Sequence, residues 1–308
     1  MSDDELTPIE RALFESLPGP PVIAEIQTTN IWIIEWLSSN EQHTGRELHE
    51  WIEGRRPGWS VFHHCTTKAQ VIQAIERAIV RARQSNMMPV LHIEAHGSDD
   101  GLAPDNAENS EFLTWEELTG PLQQLNLATR CNLVVVVAAC TGFAGIQAFR
   151  QGPRAPAVAL VGPDHDVGPS NLLSGSKEFY RRWIDKNPRL ADIASSASRE
   201  AGTVAFEWEP FTILAYEALV KSVIKSVRPA ERLQKQERFR QRMLGETELS
   251  SSEIERQLTQ TEAVSCVVLQ QIWDQLFMID LYPSNQKRFG VDMKAIVDRI
   301  TSETIGGN

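Results

Sequence analysis

The residues of this chain best suited to chemistry are a histidine and a cysteine placed just past two apolar runs. LHIEAHGS carries His96 and Gly97 beyond an apolar segment, and VVVVAACTG carries Cys140, with Gly142 two residues on. A free thiol has a pKa near ~8.5 and is mostly protonated at neutral pH. A positioned imidazole holds the thiolate or takes its proton, and later protonates a leaving amine. Gly97 permits close backbone approach, so its N–H and that of Cys140 are candidates for an oxyanion hole. In outline this is an acyl-transfer site.

The elements that must hold these residues alternate between two patterns. IWIIEWL (31–37), VFHHC (61–65), PVLHIEAHG (89–97), NLVVVVAAC (132–140) and APAVALVGP (155–163) read as strands, the fourth apolar enough to be buried on both faces. Between them RELHEWIEG, TTKAQVIQAIERAIVRARQ, LTWEELTGPLQQL and NLLSGSKEFYRRWIDKN read as helices. Thr66 or Thr67 caps the second of these. Thr114 and Glu117 have capping-box spacing, and Gly120-Pro121 is expected to bend or end the third. Strand and helix in alternation imply right-handed crossovers and a parallel sheet with helices on both faces. Ligands of such sheets sit outside the carboxyl ends of the strands, where His96 and Cys140 would meet if their strands are neighbours.

The two motifs, 44 residues apart on successive strands, resemble the caspase–haemoglobinase class (clan CD) of cysteine peptidases, which includes caspases, metacaspases, separase and bacterial CHAT-domain proteases. In that class an apolar strand ends in His-Gly, and a later one ends in a catalytic cysteine followed one residue on by glycine. Caspases carry Q-A-C-x-G, with the histidine about 50 residues upstream. Ala139, Cys140 and Gly142 match the A-C-x-G part. The resemblance covers roughly residues 22–190 and is nearest to short bacterial CHAT-like proteases, many of which resemble components of defence or regulated-cell-death systems. It implies a caspase-like three-layer α/β sandwich with Cys140 as nucleophile, His96 as general acid/base, and Gly97 and Cys140 amides as the oxyanion hole. Where caspases have Gln and metacaspases an acidic residue, this chain has Ala138. Asp99 and Asp100 after the histidine, and Asp164 and Asp166 after the fifth strand, are candidates to select a basic residue before the scissile bond.

Competing residues are weaker. Cys65, Cys131 and Cys266 read as small packed hydrophobes, and His92 as a packed strand residue, although strand alternation puts it on the side of His96 if the run stays extended. His63, His64 and Cys65 are adjacent on a strand, point to alternate faces and lack a second ligand pair, so no metal is expected. His165, in Pro-Asp-His-Asp, competes for a place beside Cys140. No G-x-G-x-x-G or Walker-type loop occurs, and no cofactor is expected.

The chain of 308 residues is 42% hydrophobic and carries a net charge of −11, which disfavours direct nucleic-acid or anionic-membrane binding. Its scattered cysteines read as free thiols, its start is polar and acidic, and no apolar run reaches the ~18 residues of a membrane span. A cytoplasmic protein is expected. LPGPP (17–21) closes an acidic N-terminal arm, 1–21; a peptidase domain follows at 22–190, and a helical region at 191–308. Within the last, residues 228–242 carry six basic against two acidic side chains, either a solvated helix face or a dock for an acidic partner. Two functional readings stand: a cysteine endopeptidase acting on a protein substrate, with a regulatory protein or activating complex as a further partner, and a catalytically silent adaptor binding through its C-terminal helices. A hydrolase of small amides or esters would share the dyad.

Overall fold

The computed structural model describes residues 6–21, 26–107, 110–150, 152–186, 206–227 and 266–305. In chain order the elements are α1 (Pro8–Ser16), β1 (Asn30–Glu35), α2 (Thr44–Arg55), β2 (Ser60–His64), α3 (Lys68–Ser85), β3 (Pro89–Glu94), β4 (His96–Ser98), β5 (Gly101–Ala103), β6 (Leu113–Thr114), α4 (Trp115–Ala128) and β7 (Val134–Ala138). A 3₁₀ helix (Gly142–Arg150) follows, then β8 (Ala159–Pro163), α5 (Pro169–Lys186), β9 (Phe206–Pro210), α6 (Phe211–Ser226), α7 (266–276) and α8 (Met293–Ile305).

Among the described residues six strands form one sheet in the order β2-β1-β3-β7-β8-β9, and β4-β5-β6 form a small antiparallel sheet. Pairings from β2 through β8 are parallel, and β9 runs antiparallel to β8 at the edge. Side-chain alternation splits the core. Ile31, Ile33, Val90, Val134, Val136 and Val161 pack with Leu48 and Ile52 of α2 and Phe179, Tyr180 and Trp183 of α5. The opposite face is covered by the pair α3 and α4, whose buried stripes include Val71, Ile75 and Ala78 on one and Leu118, Leu122 and Leu125 on the other. The Trp32 indole N–H donates to the Ala74 carbonyl at 3.1 Å, tying β1 to α3. This is the three-layer, mostly parallel α/β sandwich expected from the alternation of strand and helix.

Thr67, rather than Thr66, caps α3 by accepting the Gln70 N–H, and the Thr114–Glu117 capping box forms at α4. Gly120-Pro121 does not end α4, which runs on to Ala128 with Pro121 inside it. The ring falls in the second turn, and α4 is fixed by a buried stripe on both sides of it. The predicted third strand, 89–97, is two elements: β3 stops at Glu94, and His96 starts β4 in the other sheet.

The chain divides into two units, Ile23–Phe211 and Met1–Val22 with Thr212–Asn308. The sheet unit thus extends past residue 190, because Phe206–Pro210 adds an edge strand. The N-terminal arm, read as 1–21, contains α1, whose start is a Thr7–Glu10 capping box with Pro8 at the first helical position. It belongs with the C-terminal residues, where Tyr216 donates its hydroxyl to the Pro18 carbonyl. The unit has its own aromatic core. The Trp273 and Phe277 rings lie 4.6 Å apart, Phe277 and Phe289 stack at 5.2 Å, and the Trp273 N–H donates to the Phe289 carbonyl at 2.6 Å. The basic stretch 228–242 and the expected boundary at 190/191 lie outside the described residues. Among the described residues no helix is long and apolar enough to cross a membrane.

Candidate active site

β7 delivers Cys140 to the carboxyl edge of the sheet. Val134 through Ala139 are buried, and the chain then turns sharply, with Thr141 at φ 47° and the Gly142 N–H donating to the Ala139 carbonyl at 3.0 Å. Gly142 is required by crowding: a Cβ there would sit 2.7 Å from the Val137 carbonyl oxygen. Cys140 is half-buried, and its sulfur lies against the backbone of Val167, with the Val167 N–H donating to Sγ at 3.4 Å and the Val167 carbonyl 3.7 Å away. A thiolate accepts from that N–H, and a thiol donates to that carbonyl. The Thr141 N–H donates to the His165 carbonyl at 3.2 Å, so the 165–167 backbone closes one side of the cysteine turn.

His96 reaches the same edge by a different route. β3, paired in parallel with β7, stops at Glu94, and the chain enters the β4–β5 hairpin, where His96 pairs with Ala103 and Gly97 with Leu102. Gly97 lies directly against the cysteine turn. A Cβ on it would fall within the van der Waals envelope of the Cys140 carbonyl oxygen and 2.9 Å from the Ala139 Cβ. The His96-Gly97 and Ala139-Cys140 segments are therefore apposed, as neighbouring strands require.

Two acidic groups near His96 carry no local sequence signal. Glu41 Oε1, from the loop between β1 and α2, lies 3.4 Å from His96 Nε2. Asp105, just past β5, lies within electrostatic reach of the imidazole. Its carboxyl is lowered to about 2, chiefly by the Ser110 hydroxyl, then by the Ser38 hydroxyl at 2.5 Å and the Ala107 N–H at 2.9 Å. Ser38 belongs to the loop that carries Glu41, so two loops are tied together beside His96.

Asp99 and Asp100 occupy the exposed turn of the β4–β5 hairpin. The Asp99 carbonyl accepts from the Trp115 indole at 3.0 Å, and the Trp115 ring packs on Gly145 just beyond Cys140. Asp164 and Asp166 are exposed on the loop after β8, and the Asp164 carboxylate meets His165 Nδ1 at 2.5 Å. His165 contributes its carbonyl to the cysteine turn. His92 is separated from His96 by the break after Glu94. It is fully buried, with Nδ1 3.0 Å from the Tyr180 hydroxyl and Nε2 3.0 Å from Glu94, which Thr44 contacts in turn. Burial, and then the Glu94 charge, raise the Tyr180 phenol well above its ordinary value. Cys65, Cys131, Cys140 and Cys266 form no disulfide among the described residues, and burial raises the Cys65 thiol to about 11.

A cavity of about 930 Å³ lies elsewhere, lined by Asn30, Trp32, His63, Arg77 and Met87 among others. Asn30 and Met87 mark the amino ends of β1 and β3, opposite the edge that holds Cys140. It contains none of the residues considered above as catalytic.

Fold and site together define an α/β protein in which the His96-Gly97 and Ala139-Cys140 segments are apposed at the carboxyl edge of a mostly parallel sheet. A complex of the Porphyromonas gingivalis RgpB pro- and mature domains is among the similar solved structures, with a TM-score of 0.40 at 10% identity. The likeness covers 62% of this chain and spans about half, 51%, of that one. No protein-family model matches the sequence, and no curated protein matches it significantly.

Proposed function

We propose that the protein is a cysteine endopeptidase of the caspase-like, CHAT-related kind, in which Cys140 and His96 act on a protein substrate in the cytoplasm. The observation that carries this reading is the apposition of Gly97 against the Cys140 carbonyl, which joins two motifs 44 residues apart into one edge. The Cys140 thiol passes its proton to His96 as its sulfur attacks the scissile carbonyl carbon, and the oxyanion is held by the Gly97 and Cys140 N–H groups. His96 gives a proton to the departing amine, the C–N bond breaks, and a thioester remains. Water, deprotonated by His96, then releases the acid and regenerates the thiol. Glu41 at Nε2 leaves Nδ1 as the nitrogen for these transfers.

Preference for a basic residue before the scissile bond is supported by exposed acid on two loops at this edge. Asp164 and Asp166 flank the His165 carbonyl that receives the Thr141 N–H, and Asp99 and Asp100 sit on the hairpin led by His96. A place in bacterial defence or regulated cell death rests on the resemblance of the motifs alone.

The test is mapping of new protein N-termini in cells expressing the wild type or Cys140→Ala. Wild-type-specific termini that follow Arg or Lys are expected, together with labelling of Cys140 by an electrophilic peptide that falls roughly 10²–10⁴-fold in His96→Ala. Identical termini and no labelling, with or without added partners, would instead make the domain a silent adaptor.

A further inference from the structure

We infer that Glu35, His43 and His64 form a binding site for a divalent transition-metal ion of the zinc class, separate from the Cys140–His96 pair. Glu35 ends β1 and His64 ends β2, facing each other in the strand register, and His43 is the N-cap residue of α2. Three distant positions in the chain converge: Glu35 Oε2 lies 2.8 Å from His43 Nδ1 and 3.2 Å from His64 Nδ1, and the three donor atoms all lie within 4.8 Å of one another. Two imidazole nitrogens and one carboxylate oxygen suit zinc, cobalt or ferrous ions better than magnesium or calcium, which take oxygen ligands. Metal–ligand bonds of ~2.0–2.1 Å at tetrahedral angles place donor atoms about 3.3 Å apart. The His64 distance to Glu35 matches that value to about 0.1 Å, and the His43 distance is shorter by about half an ångström, so a small outward movement of the His43 ring makes room for the ion.

Burial and charge support the same reading. The Glu35 side chain is 0% exposed, while those of His43 and His64 are 26% and 31% exposed, so the carboxylate forms the floor and the imidazoles the open wall. The two rings stand nearly perpendicular, at 78°. Glu35 Oε1 accepts the Arg46 N–H at 3.0 Å, which orients the carboxylate and leaves Oε2 to the site. A second buried carboxylate is close: a Cβ on Gly45 would lie 3.1 Å from Glu35 Oε1 and 3.4 Å from Glu94 Oε2. Two buried carboxylates at one helix start call for positive charge, and a divalent ion supplies it. In the bound form both imidazoles are neutral, with the ring proton on Nε2 and the Nδ1 lone pair on the metal; water fills the open position. No local ligand spacing announces the site, because His63-His64-Cys65 contributes one ligand and the other two come from a different strand and a helix start.

The test is titration of the full chain, first treated with chelator, with Co²⁺ followed by visible absorption and with Zn²⁺ by competition. One equivalent is expected to bind the wild type, with d–d bands of a four- or five-coordinate site and no thiolate charge-transfer band. Binding should weaken at least about 100-fold in both His43→Ala and His64→Ala, since loss of an orienting partner alone costs roughly 10–100-fold. It should be unchanged in Cys140→Ala. Failure of the wild type to bind one equivalent would overturn the proposal whatever the variants do. So would equal binding by both alanine variants, or a sulfur-to-metal band that disappears in Cys140→Ala.

Discussion

His96 Nε2 meets Glu41 at 3.4 Å, and in the proposed mechanism this contact leaves Nδ1 for proton transfer. A base held by a third group is the usual arrangement around an activated nucleophile. Glu41→Gln retains the shape but removes the charge that opposes the imidazolium formed during attack. The expected result is a kcat/KM about tenfold lower, ~1.4 kcal/mol, with KM little changed; equal rates for wild type and variant would remove Glu41 from the site. Asp105, within electrostatic reach of His96, makes a pH prediction. Its folded-state carboxyl is lowered to about 2 by three hydrogen bonds, whereas an unfolded aspartate titrates near ~3.9. The contribution to folding is therefore complete above about pH 4 and is lost as the pH falls toward 2. Ser38→Ala deletes one donor, so the Asp105 carboxyl resonance should titrate at a higher pH in the variant. An unchanged midpoint would contradict the hydrogen-bond account.

The apposition of β4 with the turn after β7 is what brings the two motifs together as a candidate site, and Gly97 is its test at the level of elements. Gly97→Ala places a methyl group against the Cys140 carbonyl and 2.9 Å from the Ala139 Cβ, so the two segments must separate. A stability loss of ~1–3 kcal/mol is expected, with loss of Cys140 labelling even at temperatures where the variant remains folded. A variant that labels at the wild-type rate would show that the apposition is not needed. The same elements explain which parts of the site were legible. His96 and Cys140 announce themselves because each ends an apolar run, and β7 and β8 read as strands because parallel strands buried on both faces are continuously apolar. Glu41, Asp105 and the Glu35–His43–His64 cluster announce nothing, because their partners are fixed by loop paths and sheet register and not by spacing along the chain. The break between β3 and β4 was hidden for a related reason. Ala95 is apolar and small, and nothing local distinguishes one strand of nine residues from two strands in two sheets. β9 escaped notice because FEWEP is only five residues long and alternates apolar with acidic residues before a proline, as an antiparallel edge strand can.

At the scale of the whole molecule, the chain leaves one unit and returns to it. Residues before Val22 join those after Thr212, and the sheet unit between them has a separate core. Long-range assembly of this kind is invisible to local pattern, since the acidic start has one short helix and its partner residues follow some two hundred positions later. Two cores imply two cooperative units that respond separately to a core mutation. Phe277 is fully buried between Trp273 and Phe289, so Phe277→Ala should destabilise its own unit by about 3–5 kcal/mol. In hydrogen-exchange mass spectrometry the loss of protection should appear in α1, α6, α7 and α8. Protection in β1, β3 and β7 should remain at the wild-type level, as should electrophile labelling of Cys140. Equal loss of protection in β7 would show instead that the chain unfolds as one body, and that the parallel sheet depends on residues well outside it for its stability.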